Sequence, residues 1–279
     1  MVNFNGVLCE SDLQLNVSNR SFLYGDGVFE TLKVVNKKIL FFEDHYFRLM
    51  ASMRIIRMDI PITFTMEYLE QQVLELVEAT NLAGSARVRL TVYRASGGYY
   101  TPTSNTVSFV IVASSLEDKA YNLSNATFEV DLYKDFVVAK QLLSTLKTNN
   151  KIIQITAAIF AVENQLDSCL MINENKNVVE AVYGNLFMRM GDRLITPPIS
   201  EGCLNGVMRK QVIRLAKKIP NLTVVEEPIS PFDLQKADEL FITNVIVGIQ
   251  PITKYRKKEF EILSAKELIC QLNDEILLA

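Results

Sequence analysis

The stretch Ser144-Thr145-Leu146-Lys147-Thr148-Asn149-Asn150 places one lysine between an apolar flank, Leu142, Leu143 and Leu146, and three hydrogen-bonding residues. Downstream, Val178-Val179-Glu180-Ala181-Val182-Tyr183-Gly184-Asn185-Leu186-Phe187 sets a lone carboxylate, Glu180, inside an apolar strand segment. A third stretch, Cys203-Leu204-Asn205-Gly206-Val207-Met208-Arg209, opens a helix behind a glycine. A lysine amine becomes a nucleophile and proton carrier when desolvation or a neighbouring cation lowers its pKa. A carboxylate in an apolar strand needs a partner to offset its desolvation. A helix N-terminus offers unpaired N–H groups and the positive end of a dipole to an anion, and a glycine lets the backbone approach it closely.

Each feature also has an ordinary structural explanation. Lys147 reads equally as a surface lysine ahead of a helix, Glu180 as a carboxylate on the solvent face of a hairpin strand, and Asn205-Gly206 as a helix cap. In combination, an amine, a carboxylate and an anion-binding helix start are what a protein needs to hold pyridoxal phosphate, a cofactor that confines chemistry to amino compounds.

Working outward from the lysine, Ile155, Ile159, Val162 and Leu166 predict a helix directly after it, and Ala126, Phe128, Val130 and Leu132 alternate as a strand before it. Two hairpins are expected, turning at Asn175-Lys176 and at the two-residue Gly191-Asp192 connection, with Glu180 on the return strand of the first. Met208, Val212 and Leu215 predict a helix after Gly206, and 239–244 reads as a late strand ending in a polar turn. Nearer the start, helices are expected around 43–57 and over 65–79, where Met66, Leu69, Val73 and Leu76 repeat at helical spacing. Residues 86–94 alternate strictly, Val88, Leu90 and Val92 against Arg87, Arg89, Thr91 and Tyr93, as a half-buried strand does. The polar stretch 114–119 marks a domain boundary, giving an α+β domain over 1–116 and a second, strand-rich domain over 117–279.

Composition bounds the function. The chain has 279 residues, 49% hydrophobic and 22% charged, enough to bury a core in one large or two medium domains. A formal net charge of −3 with dispersed basic residues disfavours nucleic acid as a partner and leaves small molecules as the expected ligands. Cys9, Cys169, Cys203 and Cys270 are far apart, which indicates neither a zinc site nor a disulfide framework and fits a reducing cytoplasm. No basic and apolar leader opens the chain and no apolar run reaches membrane-spanning length, so neither secretion nor membrane insertion is expected. His45, the only histidine, cannot build a metal site without neighbouring ligands and reads as structural.

The segments 21–31 (Ser-Phe-Leu-Tyr-Gly-Asp-Gly-Val-Phe-Glu-Thr) and 43–49 (Glu-Asp-His-Tyr-Phe-Arg-Leu), with the Lys147, Glu180–Phe187, Thr196-Pro197-Pro198 and Gly206–Arg209 segments, resemble the class IV aminotransferases in order and spacing. The resemblance to this fold-type IV pyridoxal phosphate family runs from about Asn5 to about Ile252. It implies a small N-terminal α+β domain, a larger barrel-like C-terminal domain, and a homodimer with the active site at the domain interface. It further implies Lys147 as the Schiff-base lysine, Glu180 as partner of the pyridine nitrogen, and Arg48 as a phosphate ligand. The backbone of Gly206, Val207 and Met208 would hold the same phosphate, with Thr243 and Asn244 close by and Tyr24 and Phe29 toward the substrate.

The family holds branched-chain and D-amino acid aminotransferases and 4-amino-4-deoxychorismate lyases. Asn205-Gly206-Val207-Met208-Arg209 is similar to the Asn-Gly-Ile-Met-Arg of lyases rather than the Pro-Gly-Ile-Thr-Arg of branched-chain enzymes. Ile242-Thr243-Asn244 followed by Gly248 and Pro251 also resembles the lyase pattern. Tyr93-Arg94-Ala95-Ser96-Gly97-Gly98-Tyr99-Tyr100 is similar to a lyase loop, except that Tyr99 stands where an arginine suited to a substrate carboxylate is usual; Arg89 or Arg94 would replace it. Lys151 stands near where branched-chain enzymes place a tyrosine. The resemblance therefore implies a lyase of folate biosynthesis that eliminates pyruvate to give 4-aminobenzoate, with a transaminase of branched-chain, D- or other small amino acids as the alternative. Retention of both Lys147 and Glu180 speaks against a non-catalytic scaffold.

Overall fold

A computed structural model describes every residue except Asp12, Ala83, Asn125 and Ala279. The chain forms two compact units, Met1–Lys119 with Lys147–Asn150, and Ala120–Leu146 with Lys151–Ala279. Each is built on its own sheet, so the molecule is α+β.

The first unit comprises strands β1 (Val2–Phe4), β2 (Val7–Cys9), β3 (Gly27–Val35), β4 (Lys38–Ile39), β5 (Ser85–Arg94) and β6 (Val107–Ser115), and helices α1 (Arg20–Tyr24), α2 (Phe42–Ile55) and α3 (Met66–Ala79). The sheet is antiparallel in the order β2-β1-β6-β5-β3-β4. Thr65 starts α3 by accepting a hydrogen bond from the Tyr68 N–H (3.1 Å). Leu69, Val73 and Leu76 of α3 and Leu49 and Met53 of α2 pack with Val28, Leu32, Val88, Leu90 and Val92 in one buried cluster. At about 1.5–3 kcal/mol for each such side chain buried, this face is the main support of the unit. Alternation sends Phe29, Thr31, Arg87, Arg89 and Thr91 to the other face, with Phe29 opposite Thr91 and Thr31 opposite Arg89. Tyr93 departs from the expected polar row, because it is buried.

Residues 147–150 belong to this unit although both flanks belong to the other. Phe29 N donates to Lys147 O and Asn149 N to Gly27 O, both at 2.9 Å, so the segment pairs with the start of β3.

The second unit contains β7 (Glu129–Val138), β8 (Ser168–Asn173), β9 (Val178–Ala181), β10 (Gly184–Met190), β11 (Arg193–Thr196), β12 (Thr223–Glu226), β13 (Glu239–Asn244), β14 (Gly248–Ile252), β15 (Lys254–Tyr255) and β16 (Lys258–Glu259), with α4 (Ile152–Glu163), α5 (Val207–Ala216) and α6 (Leu263–Leu278). The strands run β12-β11-β10-β9-β8-β7-β15-β16, and β13 pairs with β10 and β14. Both expected hairpins form, β8-β9 and β10-β11, the second across Gly191 in left-handed conformation (φ 61°).

Two expectations need correction. The strand before the lysine begins at Glu129, not near Ala126, because Phe128 is taken up by Thr253: its N–H donates to Thr253 Oγ1 (2.8 Å) and its carbonyl accepts from Thr253 N (3.0 Å). The helix after the lysine starts at Ile152 and ends before Leu166, and its stripe faces outward. Ala157 and Ala161 are buried against Tyr133, Cys169 and Met171, whereas Ile152, Ile155, Ile159 and Val162 are 68, 52, 52 and 77% exposed. A helix apolar on every side gives the right period without identifying the face that packs. Among the described residues no helix is long and apolar enough to cross a membrane.

Candidate functional site

The functional face of the first unit centres on the Phe29 ring. The Lys147 Nζ lies 4.7 Å from its centroid and the Arg89 guanidinium carbon 3.6 Å. The apolar surface against the amine is this ring; of the expected leucine flank, Leu146 is buried but Leu142 and Leu143 are exposed. Arg89 donates to Thr91 Oγ1 (3.1 Å) and Asn149 Oδ1 (3.2 Å) and has no carboxylate partner among the described residues. Burial, and then the charge of Arg87, act against its own charge. A half-buried guanidinium without an anion is suited to receive one.

Arg94, the other arginine expected to face a carboxylate, is committed to the protein. Its nitrogens donate to Asp26, to the carbonyls of Arg57 and Ile56, and to Asn105 Oδ1, at 2.6 to 3.3 Å. Tyr99 stands at a loop tip, 85% exposed. Tyr24 packs against Tyr100, with centroids 5.8 Å apart.

Behind Phe29, Glu30 is fully enclosed and shared by two cations or donors. Arg48 reaches it with Nε (2.8 Å) and Nη2 (2.5 Å), and His45 Nδ1 lies 2.6 Å from Oε2. Burial acts to raise the Glu30 carboxyl, but the Arg48 charge and the hydrogen bonds of His45 and Arg48 outweigh it and hold the pKa at about 2. His45 is driven the other way: burial outweighs the pull of Glu30 and lowers its pKa, favouring the neutral ring, whose buried Nε2 has no partner among the described residues.

In the second unit, Glu180, Asn185 and Thr243 form one row across three neighbouring strands, Glu180 opposite Asn185 and Asn185 opposite Thr243. Directly opposed residues share a sheet face. Glu180 is 6% exposed, which removes the solvent-face explanation, and it accepts from Leu204 N (2.8 Å). Asn185 Nδ2 donates to Leu204 O (2.8 Å). These two bonds fix Leu204 and bring Gly206 against the strand so closely that a Cβ there would sit 2.0 Å from Asn185 Oδ1. Gly206 N turns back to Leu204 O (2.8 Å), and among the described residues no side chain caps the start of α5. Thr243 Oγ1 is buried without a partner among the described residues. Asn244 Oδ1 instead closes its own turn, accepting from Ile246 N (3.0 Å) and Val247 N (2.9 Å). Burial, then the Glu180 charge, push the neighbouring Cys203 thiol up to about 12, so it is not a nucleophile.

These residues fit a phosphorylated pyridine cofactor. The uncapped helix start and the orphaned hydroxyl suit a phosphate, and the buried carboxylate suits a protonated ring nitrogen. Among the described residues no cluster suits a metal ion. Sequence reasoning passed over Glu30, Asn149 and Asn185. Glu30 and Asn185 carried the signal that singled out Glu180, a polar side chain inside an apolar strand; Asn149 was seen only as a flank of the lysine.

The amino-transferase class IV family model matches residues 27–255. A putative branched-chain-amino-acid aminotransferase of Methanocaldococcus jannaschii is 31% identical over 252 residues, covering 87% of this chain and 83% of the relative. An aminodeoxychorismate lyase of Vibrio harveyi is 25% identical over 240 residues, covering 85% of this chain and 86% of the relative. The crystal structure of a branched-chain aminotransferase from Thermoproteus uzoniensis with norvaline superposes with a TM-score of 0.86 at 25% identity, covering 99% of this chain and 94% of that one.

Proposed function

Because the chain belongs to the class IV aminotransferases, a family of pyridoxal phosphate enzymes, we propose that Lys147 carries the cofactor and moves the proton, and that Glu180 partners the ring nitrogen. Val207 and Met208 amides, beside Gly206, take the phosphate together with the Thr243 hydroxyl and with Arg48, which Glu30 orients. Asn244 serves through its turn, since its side chain is already engaged.

When bound, the cofactor supplies an electron-withdrawing ring that stabilises negative charge on the carbon bearing the substrate amine. Glu180 keeps a proton on the ring nitrogen by ion pairing. The Lys147 amine, once released by the substrate amine, accepts a proton from that carbon. Arg89 holds a substrate carboxylate. The sharing of one ring by Lys147 and Arg89 carries this reading, since it sets a carboxylate anchor beside the proton-transfer group.

The specific reaction we propose is elimination of pyruvate from 4-amino-4-deoxychorismate to give 4-aminobenzoate, on the strength of the Asn205–Arg209 and Ile242–Asn244 segments. The substrate carries carboxylates of the kind Arg89 can bind. The 31% identical relative named as a branched-chain aminotransferase favours a second reading, transamination with a keto-acid acceptor. Incubation with aminodeoxychorismate alone, and separately with amino acids plus 2-oxoglutarate, distinguishes them. 4-Aminobenzoate without an acceptor supports the lyase; keto acid formed only with an acceptor supports the transaminase. If Lys147→Ala still bound the cofactor covalently, the lysine assignment would fall under either reading.

The homodimer implied by the family has a candidate surface in this chain. Ile152, Ile155, Ile159 and Val162 leave an apolar helix face open to solvent, and an exposed stripe of this kind is suited to a second copy of the chain. We further propose a cytoplasmic enzyme whose partners are a small amino compound and a second copy of the chain, with neither nucleic acid nor membrane.

A further inference from the structure

Between β5 and β6 the chain forms a loop whose tip, Gly97-Gly98-Tyr99-Tyr100, projects two tyrosines that are 85 and 91% exposed. Solvent-exposed aromatic rings on a glycine pair would ordinarily be mobile, since glycine adds backbone freedom. Here, beside a backbone bridge between Gly98 and Pro102, one buried side chain holds the tip. Arg20, 3% exposed, donates from Nη1 to three consecutive carbonyls, Gly97 O (3.1 Å), Gly98 O (3.3 Å) and Tyr99 O (2.6 Å).

The guanidinium is itself fixed on its other side. Its Nε donates to Asp26 Oδ2 (2.8 Å), the carboxylate that also accepts from Arg94 Nε (3.0 Å). Its carbon lies 5.0 Å from the centre of the Tyr24 ring, which in turn packs on Tyr100. The backbone has been shaped to meet it: Gly97 and Gly98 are in the left-handed half of φ space (115° and 74°), and a Cβ on Gly98 would meet Thr101 O at 2.1 Å. Two arginines and one aspartate enclosed together cost desolvation that apolar side chains would avoid. The group therefore contributes geometry rather than stability.

We infer that Arg20 is a positioning residue that locks the Gly97–Tyr100 tip in one conformation and thereby governs which substrate the enzyme accepts. The inference rests on the reading of Tyr99 as a substrate-side residue. Arg20 touches neither substrate nor cofactor; it acts through the tip carbonyls and through Tyr24. Lysine at position 20 would keep the charge beside Asp26 but lacks the planar fork that serves a carboxylate and a row of carbonyls at once.

The test uses the full-length, cofactor-loaded enzyme with Arg20→Lys and, approaching the same tip from the backbone, Gly98→Ala. Gly98→Ala leaves the Arg20–Asp26 pair in place, so it covers the case in which Arg20→Lys does not fold. Amide hydrogen exchange over 95–106, cofactor absorbance, and kcat and KM for whichever substrate is turned over are measured together. In both variants, exchange over 95–106 is expected to accelerate and KM to rise about tenfold, with kcat changed less than about threefold and the cofactor spectrum unchanged. Unaltered exchange over 95–106 would overturn the clamp.

Faster exchange with unaltered KM would overturn the link to substrate choice, and Tyr99→Ala then shows which part failed. If Tyr99→Ala raises KM, the tip does face substrate and only the role of Arg20 is wrong. If Tyr99→Ala leaves KM unchanged, the substrate-side reading of Tyr99 is wrong, and the inference falls with it.

Discussion

Glu30 and Arg48 are joined side by side, Nε to Oε1 at 2.8 Å and Nη2 to Oε2 at 2.5 Å, in an enclosure where the Glu30 pKa is about 2. The carboxylate thus orients the guanidinium assigned to the cofactor phosphate and makes a pH-dependent contribution to stability. The Glu30 pKa is lower folded than unfolded, from 4.5 to about 2, so its contribution is complete above pH 4.5 and is lost as pH falls toward 2. His45 adds to the decline earlier: its folded pKa is also depressed, so the unfolded chain takes up protons first as pH drops below 6.5. Urea unfolding of the wild type should show stability level between about pH 7 and 8, falling below 6.5 and again below 4.5. Glu30→Gln should cost about 3 kcal/mol at pH 7, since it strands a buried guanidinium, and should shrink the lower step without abolishing it, because Glu201 and Glu275 are also held below the usual carboxylate range. A lower step of undiminished size in Glu30→Gln would show that the other carboxylates carry it.

Arg89 and Arg94 lie on one strand but differ in what they have left to give. Arg89→Gln should lower kcat/KM by about a hundredfold, mostly through KM, while leaving cofactor affinity unchanged, because a charge-assisted bond to the substrate carboxylate is lost. Arg94→Gln should lower the melting temperature instead, by leaving Asp26 with Arg20 alone and taking the guanidinium donors from the carbonyls of Ile56 and Arg57. Steady-state kinetics and thermal scans on both variants decide the matter; equal effects on KM would refute the distinction.

Thr243 offers a cleaner probe of the phosphate site. Its buried Oγ1 has no partner among the described residues, so Thr243→Val removes an unsatisfied group and should leave the apoprotein as stable as the wild type or slightly more so. Loss of one hydrogen bond to a phosphate should weaken cofactor binding about tenfold, read from equilibrium titration of the apoprotein. Unchanged affinity would place the phosphate elsewhere.

What could be read in the chain before the structure depended on whether the signal was local. Alternation gave β5, and helical spacing gave α3, because each element meets its core through its own periodicity. Parity along β5 also separates the arginines: Arg89 shares its face with Arg87 and Thr91, while Arg94, five residues on, falls with Val88, Leu90 and Val92. That information was present in the sequence and was not used. The row Glu180-Asn185-Thr243 was beyond reach, since it depends on the register of three strands, two of them far apart in sequence. So was the attachment of Lys147–Asn150 to β3, where the pairing partner lies more than a hundred residues upstream.

The outward stripe of α4 leads to a prediction about assembly. Four apolar side chains, Ile152, Ile155, Ile159 and Val162, face solvent in the isolated chain, and burying a side chain of this kind against a second copy contributes about 1.5–3 kcal/mol. Charged groups at the middle two positions would have to be desolvated to form the same interface, which is unfavourable without partners. Sedimentation velocity should therefore find the wild type as a dimer and the Ile155→Lys, Ile159→Lys double variant as a monomer with unchanged helix content by circular dichroism, because neither position supports the fold of the chain itself. A wild type that sediments as a monomer at micromolar concentration would remove the homodimer from the proposal. A double variant that remains dimeric would move the interface to another face.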